Sequence, residues 1–233
     1  MQKLSIIIPV FNEKNTMLEI LKRVEVVDLP LEKEIIIVDD CSTDGTKEIL
    51  QKLDGKKYKI IFKVKNEGKG AAVKDGFQKA TGDVVIIQDA DFEYDPQDYH
   101  KILRPILIGR ADVVYGSRLL SSDVKRVLFI WHFLGNIFLT FLSDIFTGLT
   151  LTDIETCYKA FTKDVLDSFK NKLKSKRFCI EPDITARIAR GDWRIYEVGI
   201  SYYGRDYREG KKINWHDGVA AIWHIIRYNL FDR

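Results

Sequence analysis

Five short runs rich in valine and isoleucine constrain the fold more than any other feature of the sequence. They cover residues 4–10, 34–40, 58–64, 83–89 and 112–117. Apolar residues follow one another within each run instead of alternating with polar ones, as in strands that are buried on both faces. Helical patterns lie between the runs, at 13–27, 44–53, 69–80 and 96–108. This alternation predicts an α/β fold with a doubly wound, mostly parallel sheet.

Length and composition narrow the functional classes. The chain has 233 residues, 45% hydrophobic and 30% charged, which fits a single domain over residues 1–233. A net charge of +3 is too small to indicate a nucleic-acid partner. The cysteines Cys41, Cys157 and Cys179 form no Cys-x-x-Cys pair, so they indicate neither a zinc site nor a disulfide framework. Because the apolar run at the N-terminus is also too short for a signal peptide, we expect a cytoplasmic protein.

Polar residues follow each of the five predicted strands. The segments concerned are 9–13 (PVFNE), 39–40 (DD), 65–72 (KNEGKGAA), 89–93 (DADFE) and 116–118 (GSR). The carboxyl ends of parallel strands meet at one edge of the sheet, and open α/β sheets bind their ligands beyond that edge. The sequence therefore predicts one active site built from all five segments.

The acidic residues after the fourth run alternate in an unusual way. Asp89, Asp91 and Glu93 are two positions apart at the end of a strand that is predicted to be buried. Like charges at such a place repel one another and are costly to desolvate unless a cation joins them. Hard oxygen ligands favour Mg²⁺ or Mn²⁺, which commonly bridges to substrate phosphates. The alternative is a solvated turn in which Asp95 and Pro96 begin the next helix.

Two other segments allow two interpretations each. Asp39 and Asp40 either cap the helix that follows them or accept hydrogen bonds from the base and ribose of a nucleotide. Residues 65–72 form either a tight turn, in which Gly68 and Gly70 supply positive φ angles, or a phosphate site. In the second case the backbone amides and Lys69 would bind the phosphate at a helix N-terminus.

Five motifs occur in a specific order and spacing. They are IIIPVFNE, IIIVDDCSTDGT, NEGKGAA, QDADFEYDP and VVYGSR. As a set they resemble the inverting family-2 glycosyltransferases of the GT-A fold, and within that family the dolichol-phosphate mannose synthase and polyprenyl-phosphate glycosyltransferase group. The resemblance covers residues 4 to about 210. It implies an enzyme that transfers a sugar from a UDP- or GDP-linked donor to a polyprenyl or dolichyl phosphate.

The resemblance implies a nucleoside pocket at the first two strand ends. Members of the family line this pocket with the residues that match Pro9, Phe11 and Glu13. The residues that match Asp39 and Asp40 contact the base and the ribose.

The resemblance also implies where the diphosphate and the acceptor bind. The motif that matches Asp89, Ala90 and Asp91 holds the metal and the sugar-nucleotide diphosphate, and the arginine that matches Arg118 faces the acceptor phosphate. Two departures from the family pattern stand out. Several dolichol-phosphate synthases carry Gln at the position of Glu93, and TDIETCYKAF (152–161) stands in place of the more usual Ser-Gly-Phe-Arg motif. The departure at Glu93 concerns the metal ligands, and the departure at 152–161 concerns the sugar specificity.

The segment 127–148 is far more apolar than its surroundings. Its polar or small positions form one narrow helical stripe of His132, Asn136, Thr140, Ser143, Asp144 and Thr147. We expect residues 125–148 to form a helix, or a broken pair of helices, in the membrane interface, with Lys125 and Arg126 among the headgroups. A core helix, a dimer contact and a transmembrane span are the alternatives.

The C-terminal part, 203–233, combines a basic run with an amphipathic pattern. The basic residues are Arg205, Arg208, Lys211 and Lys212. They form either a solvated face or a mobile loop that folds over phosphates. Residues 215–231 predict a second helix at the interface or a docking helix. We expect peripheral attachment to the cytoplasmic face of the membrane, either directly or through a membrane-protein subunit or a homo-oligomer.

The predicted reaction is attack by a lipid phosphate oxygen on the anomeric carbon of the donor, with inversion. Asp89 and Asp91 would act through the metal, while Arg118, Arg205 and Lys211 would neutralise and orient the acceptor phosphate. An ionised phosphate needs no general base, whereas a sugar hydroxyl acceptor needs one. The candidate bases are Asp153, Glu155, Glu181 and Asp183. Transfer to a hydroxyl of a polysaccharide or glycan is therefore the alternative function, and a non-catalytic nucleotide-binding or receiver-like module is a remote one.

Overall fold

The computed structural model describes residues 1–120, 124–127, 129–177, 179–205 and 215–232. Its strands are β1 (Lys3–Val10), β2 (Glu32–Asp39), β3 (Tyr58–Phe62), β4 (Val84–Ile87), β5 (Val113–Ser117), β6 (Lys159–Thr162) and β7 (Ile195–Gly199). Its helices are α1 (Met17–Val26), α2 (Thr46–Leu50), α3 (Lys69–Lys79), α4 (Tyr99–Leu107), α5 (Ile130–Thr147), α6 (Lys163–Phe169), α7 (Ile180–Ile188) and α8 (Trp215–Leu230). A short 3₁₀ turn, Pro96–Asp98, precedes α4.

The described strands form one sheet in the order β3-β2-β1-β4-β6-β5-β7. β6 pairs antiparallel with β4 and β5, and the remaining pairs of neighbours are parallel. The predicted mostly parallel α/β sheet is thus confirmed, and β1 to β5 coincide with the five apolar runs. The sequence did not reveal β6, because its four residues, KAFT, begin and end with a polar residue and so form no apolar run.

The core lies on both faces of the central strands. Residues 4–10 of β1 are all buried, as are the four residues of β4, which explains why these strands are continuously apolar. α3 approaches β1 closely, since a Cβ atom at Gly76 would lie 2.4 Å from Cγ2 of Ile7. Phe77 on this helix packs edge-to-face against Phe161 of β6, with ring centroids 5.6 Å apart.

The strand directions bring the predicted site segments to one edge. The exits of β1 to β5 share an edge of the sheet because these strands run the same way. β6 runs the opposite way, so it begins at this edge instead of ending there. The segment 148–158 that leads into β6 therefore also reaches the edge and joins the site.

α5 confirms the predicted helix in the segment 127–148, but its polar stripe faces inward. Thr140 and Ser143 are buried, and the hydroxyl of Thr140 accepts a hydrogen bond from Ile154 N at 3.3 Å. The apolar side chains face outward instead: Trp131 is 78% exposed and Phe141 63%. α5 packs against α8, which carries the exposed Trp223. The outward face of α5 is thus apolar, whereas the outward face of an ordinary soluble helix is polar.

Candidate active site

The loops after β1 and β2 are joined into one wall of the site. Asn12 N donates to Ser42 Oγ at 2.9 Å, and Asn12 Oδ1 accepts from Thr43 N at 2.8 Å. Asn12 and Cys41 have φ angles of 53° and 64°. Left-handed conformations of residues other than glycine store strain and are concentrated at functional sites. The two loops that were predicted to line the nucleoside pocket therefore form one preorganised surface beside Glu13.

Asp39 and Asp40 are both buried at the exit of β2. Asp39 accepts hydrogen bonds from Ser42 N at 3.3 Å, whereas Asp44 supplies the bond to the first residue of α2, Thr46, at 3.0 Å. The interpretation of Asp39 and Asp40 as caps of this helix is therefore wrong. Pro9 and Phe11 lie beside them at the exit of β1, and contact of this group with base and ribose stays a prediction.

The turn after β3 does not offer its backbone amides to a phosphate. Glu67 N and Gly68 N donate to the Asp40 carboxylate at 3.0 and 2.6 Å. At the start of α3, Gly70 N donates to Arg177 O and Ala71 N donates to Lys176 O, both at 3.1 Å. These four donors already have partners within the chain, so they do not face a phosphate in this structure, and phosphate binding by Lys69 stays a prediction.

The glycine at the head of this turn is required by its conformation and by a close approach. Gly68 has a φ of +94°, and a Cβ atom there would lie 2.5 Å from the carbonyl oxygen of Lys176. A side chain at this position would both strain the backbone and push away the segment 175–177, which closes the turn.

Replacing Gly68 by Ala is expected to lower the free energy of unfolding by about 3 kcal/mol, because backbone strain and the clash add together. Urea unfolding followed by circular dichroism measures it. Gly109→Ala is the matched control: φ there is +70°, and a Cβ atom would meet none of the described atoms within 4 Å. It is expected to cost only about 1 kcal/mol. Equal losses in the two variants would contradict the role given to the close approach.

Lys69 connects the exit of β4 with the start of α7. Its Nζ lies 2.9 Å from Asp89 Oδ1 and 2.9 Å from Glu181 Oε1. Burial acts to lower the pKa of Lys69, but the two carboxylates outweigh it and hold the pKa well above its usual value. Lys69 is therefore a fixed positive charge beside the predicted diphosphate site, although the amides next to it are not available.

Arg205 lies among the acids of the first and fourth strand ends. Its guanidinium is 2.5 Å from Asp91 Oδ2 and 3.5 Å from both Glu13 Oε1 and Glu93 Oε1. Glu93 also accepts from Arg205 N at 2.9 Å and from Tyr202 OH at 3.1 Å. Arg205 thus binds the donor-side acids in this structure, whereas the sequence predicts that it contacts the acceptor phosphate.

Asp89 and Asp91 form a donor set that suits a divalent cation shared with a ligand. Burial, and then the charges of Asp89 and Glu93, raise the pKa of Asp91 against the opposing effect of Arg205. Excess negative charge of this kind is what a cation relieves. Within the described residues, no three His, Cys, Asp or Glu side chains are grouped closely enough to hold a metal by themselves. Two carboxylates fit Mg²⁺ or Mn²⁺ that takes further oxygens from a diphosphate. Glu93 is held by Tyr202 and Arg205, and its role as a metal ligand stays a prediction.

Arg118 is fixed at the exit of β5 by a bidentate ion pair. Its Nε and Nη2 each lie 2.7 Å from a carboxylate oxygen of Asp153, and its backbone N donates to the same group at 3.0 Å. The guanidinium carbon lies 5.2 Å from the ring centroid of Tyr202. Geometry of this kind sets the direction of the guanidinium and suits it to bind a second anion.

Three of the four candidate bases are already engaged. Asp153 is paired with Arg118, and Glu181 with Lys69. Asp183 accepts from Lys174 N at 2.7 Å and from Ser175 N at 2.9 Å, deep inside the protein. Glu155 is the fourth candidate, and burial, followed by the charge of Glu181, raises its pKa.

Sequence reasoning missed two residues that support the site. Gln88 accepts from Tyr99 OH at 2.8 Å and from Tyr158 OH at 2.6 Å, and its amide donates to Asp89 O at 2.9 Å. A polar residue at the end of an apolar run, directly before Asp89, was the available signal. Tyr202, which contacts both Glu93 and Arg118, gave none. Arg208, Lys211 and Lys212 lie outside the described residues.

Solved structures with this architecture include two of glucosyl-3-phosphoglycerate synthase from Mycobacterium tuberculosis. One, in complex with Mn²⁺, UDP and phosphoglyceric acid, has a TM-score of 0.74 at 16% identity and covers 99% of this chain and 78% of that one. The other, in complex with Mg²⁺ and UDP, has a TM-score of 0.71 at 17% identity and covers 98% and 79%. The chain therefore has the GT-A fold.

The family follows from the sequence itself. The model of glycosyl transferase family 2 matches residues 5–169, and the chain belongs to this family. It is thus a glycosyltransferase, as the five motifs predicted.

Two relatives that match nearly the whole chain, and a third that matches half of it, are named for transfer to a lipid phosphate. A UDP-N-acetylglucosamine–dolichyl-phosphate N-acetylglucosaminyltransferase from Methanococcus voltae is 26% identical over 244 residues, which is 97% of this chain and 95% of that protein. An undecaprenyl-phosphate mannosyltransferase from Micrococcus luteus is 28% identical over 239 residues, covering 97% and 94%. A dolichol-phosphate mannosyltransferase from Pyrococcus furiosus is 38% identical over 117 residues, which is 50% of this chain and 33% of that protein.

Proposed function

We propose that the protein transfers a sugar from a UDP- or GDP-linked donor to the phosphate of a polyprenyl lipid, with inversion at the anomeric carbon. The observation that carries this proposal is the separation of charges along the site. Asp89 and Asp91 lie at the exit of β4, where Lys69 of α3 pairs with Asp89, while the fixed guanidinium of Arg118 lies at the exit of β5. The activities for which the relatives are named support the lipid phosphate as acceptor.

The donor side provides for the negative charge of the diphosphate. Asp89 and Asp91 would hold a Mg²⁺ or Mn²⁺ ion, which would supply Lewis-acid neutralisation of the leaving nucleoside diphosphate. Lys69 adds a charge that Asp89 and Glu181 hold in place. The wall formed by Asn12 and the loop after β2 binds the nucleoside.

The acceptor side aligns the attacking group. Arg118, held by Asp153, binds and orients the lipid phosphate, which otherwise repels the diphosphate beside it. A phosphate oxygen forms a bond to the anomeric carbon from the face opposite the diphosphate. The bond from that carbon to the diphosphate oxygen breaks, and its electron pair leaves with the nucleotide. The phosphate is ionised at neutral pH, so no side chain has to remove a proton.

Nucleotide release by the purified protein tests this function. The assay combines Mn²⁺ or Mg²⁺ with UDP- and GDP-linked sugars, with and without a polyprenyl phosphate in detergent. Release that needs both the metal and the lipid phosphate is the expected result and identifies the donor. Release that is indifferent to the lipid would contradict the acceptor and favour a sugar hydroxyl.

The outward face of α5 fits a bilayer surface, where the lipid phosphate would be found. α5 is also the one described helix that is long and apolar enough to cross a membrane. Thr140 and Ser143 of its polar stripe are buried, the other residues of the stripe are half-buried, and the exposed side chains of the helix are apolar. We propose that it lies in the membrane interface on the cytoplasmic side, and that residues 1–233 act as one catalytic domain whose segments 125–148 and 203–233 approach the lipid.

Replacing Trp131 and Phe141 together by Glu is expected to reduce binding to anionic vesicles at least tenfold, because both exposed rings would leave the hydrocarbon boundary. Sedimentation with vesicles measures this, and nucleotide binding should not change. Val26→Glu is the control, since Val26 is 72% exposed on α1, outside the α5 face. A change from dimer to monomer with unchanged vesicle binding would contradict the membrane role and assign this face to a second copy of the chain.

A further inference from the structure

We propose that Glu155 recognises the transferred sugar by accepting a hydrogen bond from one of its hydroxyl groups, and so determines which sugar is used. The inference rests on the proposed function, because it requires a nucleotide-sugar at the acids of β4. It concerns residues 152–161, which are one of the two departures from the family pattern.

The first argument is the position of Glu155 between the two ends of the reaction. Two residues before it, Asp153 binds Arg118, which is the proposed acceptor end. Two residues after it, the thiol of Cys157 interacts with the carboxylate of Asp89, which is the proposed donor end. The sugar has to lie between the leaving diphosphate and the incoming phosphate, because its anomeric carbon exchanges one for the other. Glu155 is midway along the segment that connects these two ends.

The second argument is that the backbone of this segment is held on both sides of Glu155. Glu197 accepts from Thr152 N at 3.0 Å, and Cys157 N donates to Tyr94 OH at 3.1 Å. The buried Lys159 ammonium donates to Ile154 O at 2.8 Å and also to the carbonyl of Thr156. These contacts fix the residues immediately before and after Glu155, which is the preorganisation that a specificity-determining group needs.

The third argument is the state of the carboxylate itself. Oε1 of Glu155 is buried and has no hydrogen-bond partner among the residues that the structure describes. The electrostatic neighbours of Glu155 include Glu181 and Lys159. Lys159 is already bonded to carbonyl groups, and Glu181 repels a second carboxylate. A buried polar atom without a partner is costly, and an unfilled ligand contact is one reason why such an atom persists.

The chemistry of the acceptor atom indicates the class of sugar. A carboxylate oxygen accepts from a hydroxyl group, so it suits a neutral hexose or an N-acetylhexosamine. Burial and the charge of Glu181 disfavour a negative charge at Glu155 more than Lys159 and Arg118 favour one, so the carboxylate of a uronic acid is disfavoured there. A site built to bond a hydroxyl can reject an analogue without that hydroxyl by factors of about 10² or more.

Calorimetric binding in the presence of Mn²⁺ tests the inference with wild type, Glu155→Ala and Glu155→Gln. The ligands are the free nucleoside diphosphate, the nucleotide-sugar that the wild type turns over, its epimers and the matching nucleotide-uronic acid. Glu155→Ala should bind the free diphosphate within about twofold of wild type, but the nucleotide-sugar at least about tenfold more weakly. Its preference between epimers in kcat/KM should fall about tenfold to a hundredfold. Glu155→Gln keeps an acceptor oxygen, so it should recover part of the nucleotide-sugar affinity and part of the epimer preference. The wild type should reject the uronic acid.

Glu48→Ala is the matched control, because Glu48 is exposed on α2, outside the segment 148–158. It should change none of these values. Unchanged epimer preference in Glu155→Ala would overturn the inference. If both Glu155 variants lost diphosphate binding or failed to fold, the inference would also be overturned, because Glu155 would then be a structural residue. A lower kcat with unchanged donor affinity would overturn it in favour of a general base. A wild type that turns over no nucleotide-sugar would refute the proposed function itself, and the inference with it.

Discussion

Replacing Asp89 by Asn is expected to reduce kcat/KM for nucleotide release about 10³-fold. The amide keeps the size of the side chain but removes the charge that a divalent cation needs. It also removes one of the two carboxylates that hold Lys69. Both effects reduce stabilisation of the leaving diphosphate, whose charge grows in the transition state. Release assays with Mn²⁺, donor and lipid phosphate measure the loss, and a thermal unfolding curve checks that the variant is folded.

Asp192→Asn is the control for Asp89→Asn, because Asp192 is exposed and lies outside the loops of the site. It should keep the wild-type rate. If a folded Asp89→Asn variant also stayed within about threefold of wild type, an effect of less than about 1 kcal/mol, Asp89 would not be a ligand of the metal.

Replacing Arg118 by Leu is expected to lower the free energy of unfolding by about 3 kcal/mol and to abolish transfer to the lipid phosphate. The first effect arises because Asp153 is 0% exposed and would be left as a buried charge without its cation. The second arises because an apolar side chain cannot bind a phosphate. Urea unfolding and the release assay measure the two effects separately, and binding of the nucleoside diphosphate should be retained.

The double variant Arg118→Leu, Asp153→Asn separates the effect on stability from the effect on transfer. It removes the unpaired charge, and the amide oxygen still accepts from the backbone N–H of residue 118. Most of the lost stability should return, while transfer should stay absent. Recovery of transfer together with stability would mean that Arg118 acts only through the fold.

The sequence predicts this fold well because its strands are buried on both faces. β1 and β4 have no solvent face, so their continuous apolar runs stand out from the helices around them. β6 was missed because its sequence, KAFT, has a polar residue at each end and so forms no continuous apolar run. Its antiparallel direction, which brings residues 148–158 to the site, depends on pairing with β4 and β5 and cannot be read from local sequence.

The site was predicted at the level of its segments but not of its contacts. The strand-end acids are visible locally, whereas their partners come from remote parts of the chain. Arg205 meets Asp91 across a separation of 114 residues. The backbone amides of Gly70 and Ala71, at the start of α3, donate to carbonyl groups of Arg177 and Lys176, and no local pattern reveals that. Gln88 is different, because its position directly before Asp89 is a local signal, although sequence reasoning did not use it.

The position of Arg205 has a consequence for the order in which the substrates bind. One guanidinium cannot pair with Glu13, Asp91 and Glu93 and neutralise a lipid phosphate at the same time. Under the proposed function, the metal ion held by Asp89 and Asp91 would take the place of Arg205 when the nucleotide-sugar binds. We therefore expect an ordered sequential kinetic scheme in which the donor binds first. The lipid phosphate would then meet a complete set of positive charges only when there is a sugar to receive.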